Sequence, residues 1–306
     1  MNTASKRMIE TVQFKSVRGQ VRLDEPMSAH TSWKVGGPAQ YFFEPVDEAD
    51  IARFLAELDP EMPVLWVGLG SNLLVRDGGY RGAVIAGHRG LRELNVTDSR
   101  VFAQSGVSCA RLSRVANQRG LEGAEFFAGI PGTVGGALRM NAGAFGSETW
   151  QYVRQVRVID RAGDISEESS DRFAVSYRDV GLAEDRWFTG ATFSFPGRQE
   201  SNGSEVVRSL LEERGRRQPI GLASAGSVFK NPPGDFAARL IEAAGLKGLR
   251  LGGASVSTRH ANFIVNDERA RASDIEELIE KIQQVVFQHH EIRLETEIRI
   301  VGTNDG

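Results

Sequence analysis

Apolar positions along the chain fall into two alternating rhythms. Helical spacing appears at Ile51, Phe54, Leu55 and Leu58, behind Asp47 as an N-cap. It returns over 109–118, between a Ser108 cap and a Gly120 stop, and at Leu240 and Ile241, between an Asp235 cap and a Gly245 stop. The longest case is Ile275, Leu278, Ile279, Ile282, Val285 and Val286, opened by a Ser273–Glu276 capping box. Ser204 is expected to cap a further helix through Leu210 and Leu211. That helix ends in Arg214, Arg216 and Arg217, cations suited to a last helical turn. Strand-like runs fall at 21–23, 40–43, 63–67, 84–86, 101–104, 152–160, 187–195, 261–265 and 297–301. Turns are predicted at Gly36-Gly37-Pro38, at Asp77-Gly78-Gly79 as a hairpin type, and at 161–164, with a loop over 173–179. The alternation reads as α+β without internal repeats. Its expected division is 1–62, 63–200 and 201–306, with Ser201-Asn202-Gly203 as a linker before the last part.

At 306 residues the chain is long enough for roughly two domains. A formal net charge of -3 argues against a general nucleic-acid binder. The single cysteine, Cys109, excludes an internal disulfide and reads as a small core residue. No apolar run is long enough to span a bilayer, and 1–13 lacks the apolar core of a secretory signal. A soluble, cytoplasmic protein is expected. No His/Cys/Asp/Glu cluster has metal-ligand spacing, so no metal is expected.

Candidate chemistry begins with two glycine-rich stretches. The first is Gly68-Leu69-Gly70-Ser71-Asn72-Leu73-Leu74, at the exit of the 63–67 strand. The second, over 129–146, contains Gly129, Gly132, Gly135, Gly136, Gly143 and Gly146, with Pro131 among them. Neither ends in Gly-Lys-Ser/Thr, and neither has Gly-x-Gly-x-x-Gly spacing, so they are neither a P-loop nor a Rossmann fingerprint. Each alone fits a tight turn between packed elements as well as a phosphate nest of backbone N–H groups. The Ser71 hydroxyl and the Asn72 amide are further candidate donors to a phosphate. Ser227, in Ser224-Ala225-Gly226-Ser227-Val228-Phe229-Lys230-Asn231-Pro232, has no histidine beside it. It is a turn or cap hydroxyl, or a proton donor to a strong base held close. Arg178 could hold a carboxylate through its fork. Glu297 and Arg299, two apart on a predicted strand, share a face and could equally serve surface cross-strand ion pairs.

Seven segments in a fixed order resemble the UDP-N-acetylenolpyruvoylglucosamine reductase family. They are residues 31–39 (Thr-Ser-Trp-Lys-Val-Gly-Gly-Pro-Ala), 68–74, 129–146, 176–179 (Ser-Tyr-Arg-Asp), 226–232, 260–266 and 294–297 (Leu-Glu-Thr-Glu). The resemblance runs from about Thr31 to Gly302. It implies a two-part, non-covalent FAD module of the vanillyl-alcohol-oxidase type, followed by a smaller α+β substrate-binding domain. Implied FAD contacts are Trp33; Gly68, Gly70, Ser71, Asn72 and Leu73; and Gly129, Ile130, Pro131, Thr133, Val134, Gly135, Gly136, Asn141, Ala142 and Gly143. The implied reaction uses NADPH to reduce UDP-N-acetylglucosamine enolpyruvate to UDP-N-acetylmuramate, a step in peptidoglycan precursor synthesis. By match to the family's motifs, Arg178 and Glu297 stabilise the enolate and Ser227 supplies the proton to C2. Such a Glu297 must be protonated, which requires a raised pKa. Tyr177, Lys230, Asn231 and Arg299 are the implied substrate contacts. The short span between Arg178 and Ser227 implies the subtype without an extra capping segment, acting as a monomer with no membrane or nucleic-acid partner. A flavin oxidase of the same fold shares the FAD motifs but leaves the 226–232 segment unaccounted for; a non-catalytic nucleotide-binding module is the third reading.

Overall fold

β1 (Gln20–Pro26) lies antiparallel to β2 (Pro38–Glu44), with Val21 opposite Phe43. These strands begin a computed structural model that describes residues 14–197 and 203–305. The 1–13 lead-in and the Ser201-Asn202 part of the expected linker lie outside the described residues. α1 (Glu48–Glu57) follows, capped as expected: Asp47 Oδ1 accepts from the Asp50 N–H at 2.8 Å. β3 (Val64–Val67), β4 (Leu73–Val75) and β5 (Tyr80–Ala86) come next. β5 runs parallel to both β2 and β3, so the sheet order is β1-β2-β5-β3. α1 buries Ile51, Phe54 and Leu55 in one core with Phe43, Ala83 and Ile85. The expected boundary at residue 62 therefore falls inside one sheet: β3 and β5 lie beyond it and pair into the same unit.

β4 leaves that sheet. Asp77-Gly78-Gly79 is a turn, closed by the Gly79 N–H on the Arg76 carbonyl at 3.0 Å, but it makes no hairpin because β4 and β5 belong to different sheets.

The second unit holds β6 (Leu94–Thr97), β7 (Arg100–Gln104), α2 (Cys109–Gln118), α3 (Val134–Arg139), the two-residue strands β8 (Gly143–Ala144) and β9 (Ser147–Glu148), β10 (Val153–Asp160), β11 (Ile165–Ser169) and β12 (Arg186–Ser194). Its antiparallel sheet has the order β11-β10-β12-β7-β6. Ser108 Oγ accepts from the Arg111 N–H, and Gly120 stops α2 at φ 69°, both as expected. Cys109 is fully buried, and burial pushes its thiol up to about 12. α3 was not expected within 129–146. Val134, Ala137 and Leu138 are buried at helical spacing, a signal masked by Gly135-Gly136. β11 carries no apolar alternation in its sequence, being a polar edge strand with only Glu168 buried.

The rest comprises α4 (Gly203–Arg217), α5 (Ala237–Ala243), β13 (Arg250–Leu251), β14 (Ala254–Val256), β15 (Ile264–Asn266), α6 (Ala272–His290) and β16 (Arg299–Val301). Gly203 and Ser204 already belong to α4, so Ser204 is not its cap. α4 packs on α2 and on residues 125–129, so an expected last domain starting at 201 cuts α4 away from its packing partners. α5 is capped differently from expectation. Asp235 pairs with Arg239, and Asn231 Oδ1 accepts from the Ala237 N–H at 3.1 Å. Ser273 lies inside α6, so the Ser273–Glu276 box does not form. Asp77 supplies the cap from the β4–β5 turn: its two oxygens accept from the Ala272 and Ser273 N–H groups, each at 3.0 Å. Glu276 instead takes the Arg76 guanidinium, at 2.7–3.1 Å. β16 lies parallel to β4, with Arg299 opposite Leu73. One core unites Trp33 and Leu74 with Val228, Phe229, Leu240, Ile275, Leu278 and Ile298.

Candidate active site

The two glycine-rich turns meet without room for side chains. A Cβ on Gly68 would stand 2.5 Å from Thr133 Oγ1, and one on Gly132 would stand 2.8 Å from Ser71 Oγ. Gly70, at φ 62°, has the His30 carbonyl 2.0 Å from where its Cβ would be. The Ser71 hydroxyl, expected to face a phosphate, donates to the Pro131 carbonyl at 2.6 Å and ties the turns together. Among the described residues, the backbone N–H groups of Leu69, Gly70, Ser71, Gly132 and Thr133 meet no protein acceptor. A concave row of free N–H groups beside glycine backbone suits an anionic diphosphate. Leu73, Ile130, Val134 and Gly135 are buried behind this row, and the Val134 and Gly135 N–H groups are given to Val107 and Ser105 at 2.8 Å. Gly136 is exposed, with open space at its Cβ direction. Trp33 departs from its expected cofactor role. It is fully buried, its Nε1 donates to the Ile264 carbonyl at 2.8 Å, and its ring serves the core.

Arg178 and Glu297 come together at the far end of the second turn. Arg178 Nε donates to Glu297 Oε1 at 2.9 Å, and both side chains are only 16% exposed. Arg178 Nη1 also donates to the Asn141 carbonyl at 3.3 Å and lies beside Gly143, where a Cβ would approach it to 3.5 Å. Arg178 sits at φ 62°, in a tight turn in which the Ser176 N–H donates to Asp179 O at 2.8 Å. A left-handed non-glycine residue costs roughly 1–2 kcal/mol and is characteristic of functional turns. Burial raises the Glu297 carboxyl above the usual range and outweighs the opposing pull of Arg178 and Lys230. Glu297 lies in a bend before β16 and pairs with Arg178 away from the surface, so the surface cross-strand pair considered from sequence does not hold for it, while Arg299 is exposed on that strand.

Ser227 reaches the same region through a short antiparallel pairing. Phe229 bridges Thr296, and the Glu297 N–H donates to the Val228 carbonyl at 2.7 Å. The partly buried Ser227 is the residue before Val228, and its hydroxyl has no partner among the described residues. Its loop is clamped by Asn262, whose amide accepts from the Phe229 N–H at 2.9 Å and donates to the Phe229 carbonyl at 2.8 Å. The sequence assigns Asn262 no role of its own beyond its place in the 260–266 segment, because its use depends on the Phe229 backbone opposite it. Burial holds His260 below the usual histidine range, so its neutral Nδ1 can accept the Asn262 N–H at 3.3 Å.

The expected substrate contacts scatter more widely. Tyr177 is 45% exposed and carries the Arg178 guanidinium 4.9 Å above its ring. Lys230 Nζ lies 3.5 Å from Glu295, and Asn231 spends its carbonyl oxygen on α5. The Ala142 carbonyl accepts from the Thr149 hydroxyl at 2.7 Å, and its N–H donates to the Ala137 carbonyl at 2.9 Å. Among the described residues no helix is long and apolar enough to cross a membrane.

Residues 39–169 match the FAD binding domain family, and residues 218–301 match the family described as UDP-N-acetylenolpyruvoylglucosamine reductase, C-terminal domain. The UDP-N-acetylenolpyruvoylglucosamine reductase of Alkalilimnicola ehrlichii is 52% identical over 285 residues, covering 93% of this chain and 95% of its own. That of Nitrosomonas eutropha is 49% identical over 303 residues, covering 95% and 91%. The crystal structure of the UDP-N-acetylenolpyruvylglucosamine reductase from Thermus caldophilus aligns with a TM-score of 0.78 at 33% identity, covering 92% of this chain and 98% of that one. With its nest of free amides and its part-buried Arg–Glu pair, the chain is an FAD-dependent oxidoreductase of α+β fold. It belongs to the UDP-N-acetylenolpyruvoylglucosamine reductase family.

Proposed function

We propose that the protein reduces the enolpyruvyl group of UDP-N-acetylglucosamine enolpyruvate to the lactyl ether, giving UDP-N-acetylmuramate for peptidoglycan synthesis in the cytoplasm. The observation that carries this reading is the convergence of Arg178, Glu297 and the Ser227 loop beside the end of the glycine-rich stretch. The free N–H groups of residues 69–71, 132 and 133 would hold the FAD diphosphate without a covalent link. Bound there, FAD would supply the redox chemistry, with NADPH as the hydride source and C3 of the enolpyruvyl group as the hydride acceptor.

The remaining work falls to side chains. Arg178 binds the substrate carboxylate and stabilises the charge that spreads onto it. Glu297, whose carboxyl burial raises above the usual range, would in its protonated form donate a hydrogen bond to the same oxygens instead of repelling them. Ser227 Oγ gives its proton to C2, and its unpartnered hydroxyl suits that task. Tyr177 and Arg299, both exposed, and Lys230 would meet the sugar nucleotide. We also take the substrate-binding part to begin near residue 218, after α4, with the protein working as a monomer.

The test is an absorbance experiment on the purified holoenzyme. A flavin band should bleach with NADPH and recover, without oxygen, on adding UDP-N-acetylglucosamine enolpyruvate. Rapid recovery with oxygen but none with the sugar nucleotide would sink the assignment in favour of an oxidase.

A further inference from the structure

Each glycine-rich stretch carries an asparagine whose side chain is hydrogen-bonded within the protein. Asn72 Nδ2 donates to the Glu297 carbonyl at 3.1 Å and lies 3.6 Å from Met140 Sδ. The Asn72 carbonyl accepts from the Arg299 N–H at 3.0 Å, so this one residue grips both ends of the segment 297–299. Asn141 is 1% exposed, and its amide is used up inside the protein. Its Nδ2 donates to Glu148 Oε2 at 2.9 Å and to the Ser176 carbonyl at 3.2 Å, and its Oδ1 accepts from the Trp150 N–H at 3.1 Å. Its own carbonyl takes Arg178 Nη1. Asn141 stands at φ 40°, a left-handed conformation that asparagine tolerates better than most residues.

We propose that Asn72 and Asn141 are positioning residues for the reducing site. Each uses its side chain to fix one member of the Arg178–Glu297 pair to a glycine-rich turn, and neither contributes it to the cofactor phosphates. Asn72 sets the height of Glu297 through its backbone. Asn141 sets Arg178 twice, through the Ser176 carbonyl of its turn and through the guanidinium itself. Met140, next to Asn141 in sequence and in contact with Asn72, joins the two brackets. A shift in either turn is thereby transmitted to the pair. This inference rests on the proposed reaction, because the pair's alignment is read out as substrate reduction.

The test uses Asn72→Ala and Asn141→Asp. The second keeps the shape and the left-handed tolerance while placing a carboxylate against Glu148 and the Ser176 carbonyl. Four quantities are measured on each variant: FAD dissociation constant by flavin fluorescence, melting temperature, flavin bleaching by NADPH, and anaerobic reoxidation by UDP-N-acetylglucosamine enolpyruvate across pH. The expected outcome is FAD affinity and bleaching within about twofold of wild type. Reoxidation should be slowed by about 10- to 100-fold, the scale of a misplaced reacting group, and its alkaline limb should move. Weakened FAD binding with normal reoxidation once the site is refilled would overturn the proposal and make the asparagines phosphate ligands. An equal loss of all steps together with a lowered melting temperature would overturn it in favour of a general structural role, as would no change at all. If wild-type protein itself is not reoxidised by the sugar nucleotide, the proposed reaction has failed and not the bracket.

Discussion

Arg178 and Glu297 are 119 residues apart in sequence and 2.9 Å apart in space. No single element explains the meeting. Arg178 is delivered by a left-handed turn leaned against Gly143, and Glu297 by a bend held between Val228 and Asn72. Replacing Arg178 with lysine keeps the charge but removes the fork. Stopped-flow measurement should find flavin bleaching by NADPH near wild type and reoxidation by the enolpyruvyl substrate slowed by about 100-fold or more, the usual loss for one donor to a developing oxyanion.

Glu297 gives a pH signature. Its carboxyl is raised in the folded protein, chiefly by burial. A raised acid favours folding below the ordinary carboxylate range, and that contribution is lost as pH rises through its own elevated value. Chemical denaturation of wild type and Glu297→Gln from pH 4 to 8 should therefore show the wild-type advantage shrinking with rising pH. A growing advantage would contradict the burial argument. The alkaline limb of reoxidation should also flatten in Glu297→Gln.

Ser227→Ala should separate the two halves of turnover. Bleaching by NADPH stays intact, and product formation drops by about 10²- to 10⁴-fold, the typical worth of a positioned proton donor. Normal turnover in this variant would remove Ser227 from the mechanism.

Gly68→Ala addresses the cofactor cradle. Its new methyl group would lie against Thr133 Oγ1 and push the two turns apart. Flavin should be lost on dialysis, and titration should show weaker FAD binding, while the far-ultraviolet circular dichroism stays close to wild type.

Asp77→Ala tests the cross-connection to α6. Burial pushes the Asp77 carboxyl up, but hydrogen bonds from Ser273 and Ala272 outweigh it and hold the group below the usual range. Its contribution is thus present above the ordinary carboxylate range and lost as pH falls through its depressed value. At pH 7 the substitution should cost about 1 kcal/mol, the usual worth of a helix cap, and lower the melting temperature. At pH 3 the difference should narrow.

Much of the architecture was legible in residue spacing. Asp47 and Ser108 cap the helices expected of them, because the capping side chain and the capped N–H are neighbours in sequence. The failures share a cause. Ser273 and Asp235 look like caps in local sequence, yet the N–H groups of α6 and α5 are taken by Asp77 and Asn231, which come from other turns. Residue 62, the expected boundary, lies between strands of the one β1-β2-β5-β3 sheet, since which strand pairs with β5 is a long-range choice. Within the site, the glycine-rich turns could be recognised because free backbone and absent Cβ atoms are written in the residue types. The uses of Ser71, Asn72, Trp33 and Asn262 could not be read, because each depends on what stands opposite.

The parallel pairing of β4 with β16 imposes an order in time. A ribosome that has passed His290 has already made both glycine-rich turns, Arg178 and Ser227, but β4 still has an open edge and Arg178 has no carboxylate. Asn72 waits through 225 residues of synthesis for Glu297, or about ten to forty seconds at typical elongation rates. During that interval the nascent chain carries its cradle without a working centre. The arrival of one three-residue strand closes the exposed edge and completes the pair in the same event.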